Sequence, residues 1–237
     1  MIRLKTLGLA AFMAAVASLP AVASSGHDTL TPQRQSWSFA GPFGTFDRAQ
    51  LQRGFRVFRE VCANCHSAKL LSFRNLSQPG GPEFSEAQVK ALAAEYKVQD
   101  GPGDDGKMFE RPGRPADRFP STYPNPEAAK ATLGAVPPDM SVLAKARSYS
   151  RGFPLFLVDP IIQYQEHGPD YIYSLLALGY TDDKDPNANT YFPGGKIGMG
   201  KPLSDGQVEY TDGTPETVQQ YSRCLLYTSD AADDTPC

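Results

Sequence analysis

The sequence predicts an all-α fold carried on long loops, and three observations lead there. Apolar residues recur at helical spacing in several short runs, and strand-like alternation is scarce. Glycine and proline number 21 each, which cuts the chain into short helices joined by turns. At 237 residues the chain can bury a sizeable core as one large domain or two small ones. A net charge of −3 with no basic cluster argues against a nucleic-acid partner.

The first element is a targeting segment. Arg3 and Lys5 precede the apolar run Leu7 to Ala17, and Ala21-Val22-Ala23 is a small-x-small cleavage site. Residues 1–23 are therefore expected to be a signal peptide, and the protein to be exported. Losing Arg3 and Lys5 takes the net charge from −3 to −5. Residues 27–43 are polar and punctuated by Gly and Pro, which predicts a surface arm.

Asp47 caps the first predicted helix, in which Leu51, Phe55, Phe58 and Cys62 share one face. That helix delivers Cys62-Ala63-Asn64-Cys65-His66, the C-x-x-C-H signature of covalent haem attachment. Two thiols about one turn apart can each close a thioether to one edge of a porphyrin, and the adjacent imidazole can then meet the iron. A bare C-x-x-C would also fit a redox dithiol or half a zinc site; the apolar helix before it favours haem. Leu70, Leu71 and Phe73 could cover a haem edge or serve as ordinary core.

Ser85 with Gln88 makes a capping box for a helix to Tyr96 that buries Val89, Leu92 and Tyr96. Residues 100–122 read as one long loop carrying Asp104, Asp105 and Glu110. Asn125-Pro126-Glu127 is the cap and first turn of a short helix, and Pro137-Pro138-Asp139 is expected to open another that runs to Arg147. Tyr171, Leu175 and Leu178 predict a helix over 170–178. Residues 181–212 are turn-rich, and Thr214-Pro215-Glu216 is expected to start a last helix.

Histidine on one side of a haem iron leaves the second axial ligand to set its character. The mature chain offers Met108, Met140, Met199, His27 and His167. His27 lies near the new N-terminus, His167 precedes Gly168-Pro169, and Met140 starts an expected helix where packing is the ordinary role. Met199 stands between Gly198 and Gly200, where the backbone can come close to a ring and an unbranched thioether can reach metal. On chemistry alone Met199 leads and the others stay open.

The chain resembles the cytochrome c1 family, the haem-bearing subunits of cytochrome bc1 complexes. The matching stretches are Arg53-Gly54-Phe55 leading to Cys62-x-x-Cys65-His66-Ser67, Val98-Gln99-Asp100-Gly101-Pro102, Met108-Phe109 and Arg111-Pro112-Gly113. They continue through Tyr123-Pro124-Asn125-Pro126-Glu127-Ala128-Ala129, Gly134-Ala135-Val136-Pro137-Pro138-Asp139 and Asp170-Tyr171. Tyr191-Phe192-Pro193-Gly194 and Tyr210-x-Asp212-Gly213-Thr214-Pro215 complete the match.

The resemblance implies a class I c-type cytochrome core with long loop insertions and one covalently attached haem c. It implies attachment through Cys62 and Cys65, iron ligation by His66 and Met199, the latter in Ile197-Gly198-Met199, and Arg147 beside a haem propionate. It further implies single-electron transfer from a Rieske iron–sulfur protein to cytochrome c, alongside cytochrome b, on the periplasmic face of an inner membrane. The subunit would transform no substrate; the assembled quinol–cytochrome c oxidoreductase would. A free-standing carrier and a haem-based sensor are the alternative classes, separated by co-purification with a cytochrome b and by carbon monoxide reactivity.

Two departures accompany the resemblance. Thr132-Leu133 precede Gly134 where the family often has asparagine, so a haem contact from that amide is not expected. The tail from Cys224 resembles a translated transposon-end adapter. Residues 24–223 are therefore expected to form the haem domain and residues 224–237 to be foreign, standing where the family continues into a helix and a membrane anchor of about 20 apolar residues. On that reading a Cys224–Cys237 disulfide, which the composition first suggests, has no function.

Overall fold

Asp47 ends an extended segment and its carboxylate accepts the N–H of Gln50, which starts helix α1, Arg48–Glu60. This computed structural model describes residues 30–40, 43–147, 157 and 167–234. The expected signal peptide, His27 and Cys237 lie outside the described residues. After α1 come α2 (Glu86–Ala94), strands β1 (Lys97–Asp100) and β2 (Phe109–Pro112), α3 (Pro126–Leu133), α4 (Leu143–Ala146), α5 (His167–Tyr173) and α6 (Val218–Asp234). Short 3-10 turns occupy Cys62–Asn64 and Phe73–Ser77, and a π-helical turn, Ser174–Leu178, extends α5.

Helices α1 and α6 cross at the centre of the molecule. A Cβ on Gly54 would overlap the main-chain carbonyl of Cys224, so only glycine permits this approach. Thr228 ties the crossing by donating its hydroxyl to the Leu51 carbonyl at 3.0 Å. Around it α1 buries Leu51, Phe55, Val57 and Phe58, and α6 buries Tyr221, Leu225, Leu226 and Tyr227. An aromatic group of Phe55, Phe58, Phe73, Tyr96 and Phe119 fills the side of α1 toward α2, with Phe73 and Phe119 centroids 4.3 Å apart.

The N-terminal arm is more firmly held than a surface arm. Buried Asp170, in the first turn of α5, accepts from the Gln35 N–H and the Trp37 indole N–H, each at 2.9 Å. Arg223 lies 5.3 Å from the Trp37 ring centroid and donates to the Ser36 carbonyl. The arm thus becomes one wall of the interior.

Local chemistry explains the elements that the sequence predicts well. Ser85 and Gln88 form the reciprocal capping box of α2, and Asn125 accepts from the Ala128 N–H at the start of α3, with Pro126 in its first turn.

Four expectations are corrected. The loop expected over 100–122 contains β2, paired antiparallel to β1 with Val98 opposite Arg111. The helix expected from Pro137 to Arg147 shrinks to α4, because the preceding backbone is committed elsewhere. Asp139 accepts from the N–H groups of Lys69 and Ser141, both at 2.9 Å, and the Met140 N–H donates to the Ser67 carbonyl at 2.7 Å. The last helix starts at Val218 rather than Thr214, since Glu216 is drawn to Tyr210 at 2.9 Å and Thr217 caps α6 through the Gln220 N–H. The expected helix over 170–178 begins at His167 and widens at Ser174.

At Cys224, where the haem domain is expected to end, α6 runs through without interruption. Cys224 is a free, buried thiol, and Leu225, Leu226 and Tyr227 belong to the central core. Among the described residues no helix is long and apolar enough to cross a membrane.

Candidate haem-binding site

Helix α1 is terminated by the motif that follows it. Asn64, the second variable residue of C-x-x-C-H, turns its amide back onto the Glu60 and Val61 carbonyls at 3.1 and 3.2 Å. The chain then tightens, with the N–H groups of Cys65 and His66 both donating to the Cys62 carbonyl at 3.1 and 2.8 Å. Thr122 braces the turn from outside, its hydroxyl within 3.0 Å of the Ala63 carbonyl and 3.1 Å of that of His66.

His66 is oriented through one ring nitrogen. Its Nδ1 lies 2.9 Å from the Pro138 carbonyl, an acceptor only, so Nδ1 carries the proton and Nε2 keeps its lone pair. A backbone acceptor behind one imidazole nitrogen is the usual means of presenting the other to a metal. Pro138 belongs to the segment whose helix failed to form, so the hydrogen bonds of Asp139 and Met140 also place this acceptor.

Cys62, Cys65 and His66 line a cavity of about 1410 Å³. That exceeds the ~300–1,000 Å³ of drug-sized ligand pockets, as a macrocycle requires. Its walls include Val61, Ile172, Leu175, Leu203 and Leu225, with Leu30, Thr31 and Pro32 of the arm along one side. Burial pushes the Cys62 thiol up to about 12, and the neighbouring Cys65 adds to the rise. A redox-active C-x-x-C needs the opposite shift. Among the described residues no cluster of three or more His, Cys, Asp or Glu could hold a metal ion.

Met199 lines the same cavity, half-buried against the core. A Cβ on Gly198 would come within 3.1 Å of the Ala135 side chain, so glycine lets this loop approach the segment opposite. Gly200 has no such need, its nearest neighbour being 3.9 Å away. Met140 also lines the cavity, at 8% exposure, whereas Met108 is 58% exposed and lies outside it. His167 begins α5 and is not part of the lining.

Arg147 follows α4 in extended conformation, exposed at the cavity's edge. Burial raises the Tyr171 hydroxyl above its ordinary range, and the Arg147 charge pulls it partly back. A cation therefore sits beside the rim of an apolar cavity. Leu133, just before Gly134, also lines the cavity. Sequence reasoning missed Pro138 as the histidine's acceptor, the arm as a wall, and Tyr171. Each depends on contacts between distant segments and leaves no local pattern.

The residues fit haem: a large apolar cavity, two thiols and an imidazole on one wall, a thioether in the lining, a guanidinium at the rim. An all-α fold built around such a site defines the class of c-type haem proteins. The sequence profile of the cytochrome C1 family matches residues 37–227. The chain is 49% identical over 221 residues to cytochrome c1 of Blastochloris viridis, covering 90% of this chain and 77% of that one. It is 56% identical over 209 residues to cytochrome b/c1 of Bradyrhizobium diazoefficiens, covering 85% of this chain but only 30% of that longer protein. A mitochondrial cytochrome b-c1 complex catalytic subunit of Candida albicans is 42% identical over 203 residues, covering 82% of this chain and 63% of that one. The chain belongs to the cytochrome c1 family, whose cofactor is haem c.

Proposed function

We propose that this protein is the haem-bearing electron-transfer subunit of a cytochrome bc1 complex. It would take single electrons from a Rieske iron–sulfur protein and pass them to cytochrome c on the periplasmic face of the inner membrane, beside cytochrome b. One observation carries the reading: Cys62, Cys65, His66 and Met199, from segments far apart in sequence, line one cavity. In this reading the haem domain is exported and includes α6, whose Leu225 walls the cavity, and the subunit itself transforms no substrate.

Cys62 and Cys65 hold the cofactor by thioethers, His66 supplies Nε2 to iron, Met199 supplies sulfur, and Arg147 meets a propionate. When bound, the haem supplies a one-electron iron couple. The chain's part is to hold that couple in one coordination and keep water away. His66 keeps a fixed tautomer through Pro138, so its donor strength is constant. Met199 adds a weak, soft donor that favours the reduced iron. The apolar walls keep the surroundings at low dielectric, and a guanidinium at the rim offsets carboxylate charge.

The test is spectroscopic and biochemical. The exported protein should stain for covalent haem, give a six-coordinate reduced spectrum unaffected by carbon monoxide, and co-purify with a cytochrome b from its native membrane. Carbon monoxide binding would point to an open coordination site and a sensor. Recovery without any cytochrome b would point to a free-standing carrier.

A further inference from the structure

Tyr180 follows the π-helical turn and is not among the cavity-lining residues. Its hydroxyl nevertheless donates to the main-chain carbonyl of Met199 at 2.9 Å. The loop around Met199 is clamped on both sides by other bonds. Asn187 donates its amide to the Ile197 carbonyl at 2.8 Å, the Ile197 N–H returns to Asn187 at 2.9 Å, and the Lys201 N–H donates to Pro186 at 3.0 Å. Among the described residues, only the Tyr180 bond falls on the methionine itself.

The anchor behind Tyr180 is rigid. Asn189, 1% exposed, donates its amide to the Leu175 carbonyl inside the π-helical turn at 2.9 Å, and the Thr190 N–H donates to Gly179 at 3.1 Å. π-helical turns are rare and concentrate at functional sites. Here the turn ends beside the residue that grips the loop.

A methionine side chain has three rotatable bonds, and glycines on both sides leave its backbone loosely determined. Something must fix that backbone if the sulfur is to stay on a metal. We propose that Tyr180 is a positioning residue for the axial ligand: by holding the Met199 carbonyl from behind the cavity wall, it sets where the thioether lies. This rests on the reading that Met199 ligates the iron.

Tyr180→Phe and Met199→Lys are compared with the parent, each as the haem-bearing protein. Tyr180→Phe should keep normal haem staining while its methionine-to-ferric-iron charge-transfer absorption weakens. Its ferrous form should begin to bind carbon monoxide, and the Lys201 amide should exchange about two- to tenfold faster, as loss of one hydrogen bond implies. Met199→Lys should lose the absorption outright. If Met199→Lys loses it while Tyr180→Phe matches the parent in absorption, carbon monoxide response and exchange, the positioning role is overturned and the ligand reading stands. If Met199→Lys retains it, the ligand reading fails and the proposal falls with it. Should Tyr180→Phe not accumulate, 4-methylphenylalanine at position 180 alone fills the volume of the hydroxyl without a donor. The charge-transfer absorption should then weaken as in Tyr180→Phe, and absorption and carbon monoxide response equal to the parent would overturn the proposal.

Discussion

At the scale of single residues the proposed chemistry would fall to His66 and Met199, which are held differently. His66 follows Cys62 and Cys65, the proposed attachment points, and has the Pro138 carbonyl behind its ring. Met199 is held through its own carbonyl and the neighbouring loop, so in the proposed reading its sulfur would be the exchangeable side of the site. Replacing it with a stronger donor, as in Met199→Lys, should stabilise ferric iron and leave attachment at Cys62 and Cys65 intact. Axial choice spans about 0.8 V in haem proteins, so a fall of about 200 mV is expected. At about 59 mV per decade that is over a thousandfold against accepting an electron from a high-potential donor. Redox titration of haem-stained protein measures it. Met108→Leu should leave the potential unchanged, since Met108 is exposed outside the cavity. Met140→Leu swaps one cavity wall for another of similar volume, and the sulfur-to-iron absorption should persist.

At the scale of elements two junctions govern stability. The α1–α6 crossing depends on Gly54, where even a methyl group would overlap the Cys224 carbonyl. Gly54→Ala should force the helices apart at a cost of about 3 kcal/mol, read as a lower urea midpoint with little change in slope. The β1–β2 ribbon is fastened instead by charge. Arg111 donates to both oxygens of Asp117 at 2.6 and 2.9 Å and also to Asp100. Beside that guanidinium the Asp117 carboxyl is lowered to about 2. Between about pH 4 and pH 2 the unfolded chain therefore binds a proton that the folded chain does not. The ribbon's contribution is complete above that window and is lost as pH falls through it. Asp117→Asn should flatten the acid limb of the stability curve between pH 4 and 2, a change that chemical denaturation at stepped pH would register.

For the molecule as a whole, the consequence concerns encounter with redox partners. Asp104 and Asp105 are exposed in the turn between β1 and β2, and Glu110 on β2 binds the Gln99 amide within the ribbon. Electron-transfer partners meet over small interfaces that must part quickly, so charge steering sets their rate. A basic cytochrome c should associate more slowly as ionic strength rises past about 0.1 M, where screening shortens to roughly 10 Å. Asp104→Asn with Asp105→Asn should reduce that dependence in stopped-flow traces. A rate equally sensitive to salt in the double variant would place the docking charge elsewhere.

Much of this was legible in the residues because it is local. The caps at Asp47, Ser85 and Asn125 need only three or four neighbouring positions, and the attachment motif must occupy one turn. The ribbon was not legible: its strands are only four residues long and bury no side chain fully, and its fastening joins Asp100, Arg111 and Asp117 across a turn. The helix expected from Pro137 failed for the same kind of reason, since Lys69 and Ser67 claim its backbone and side-chain groups from 70 residues away.

By itself the sequence determined the haem attachment, the helix that delivers it and the all-α class, because those depend on spacing along the chain. On chemistry alone it put Met199 first and left Met108, Met140, His27 and His167 open as ligands for the iron. The tertiary structure narrowed the described candidates, bringing Met199 and Met140 to the cavity and keeping Met108 and His167 out of its lining. Reaching one metal from a distant loop is a matter of where the intervening chain packs, and no short-range pattern records that.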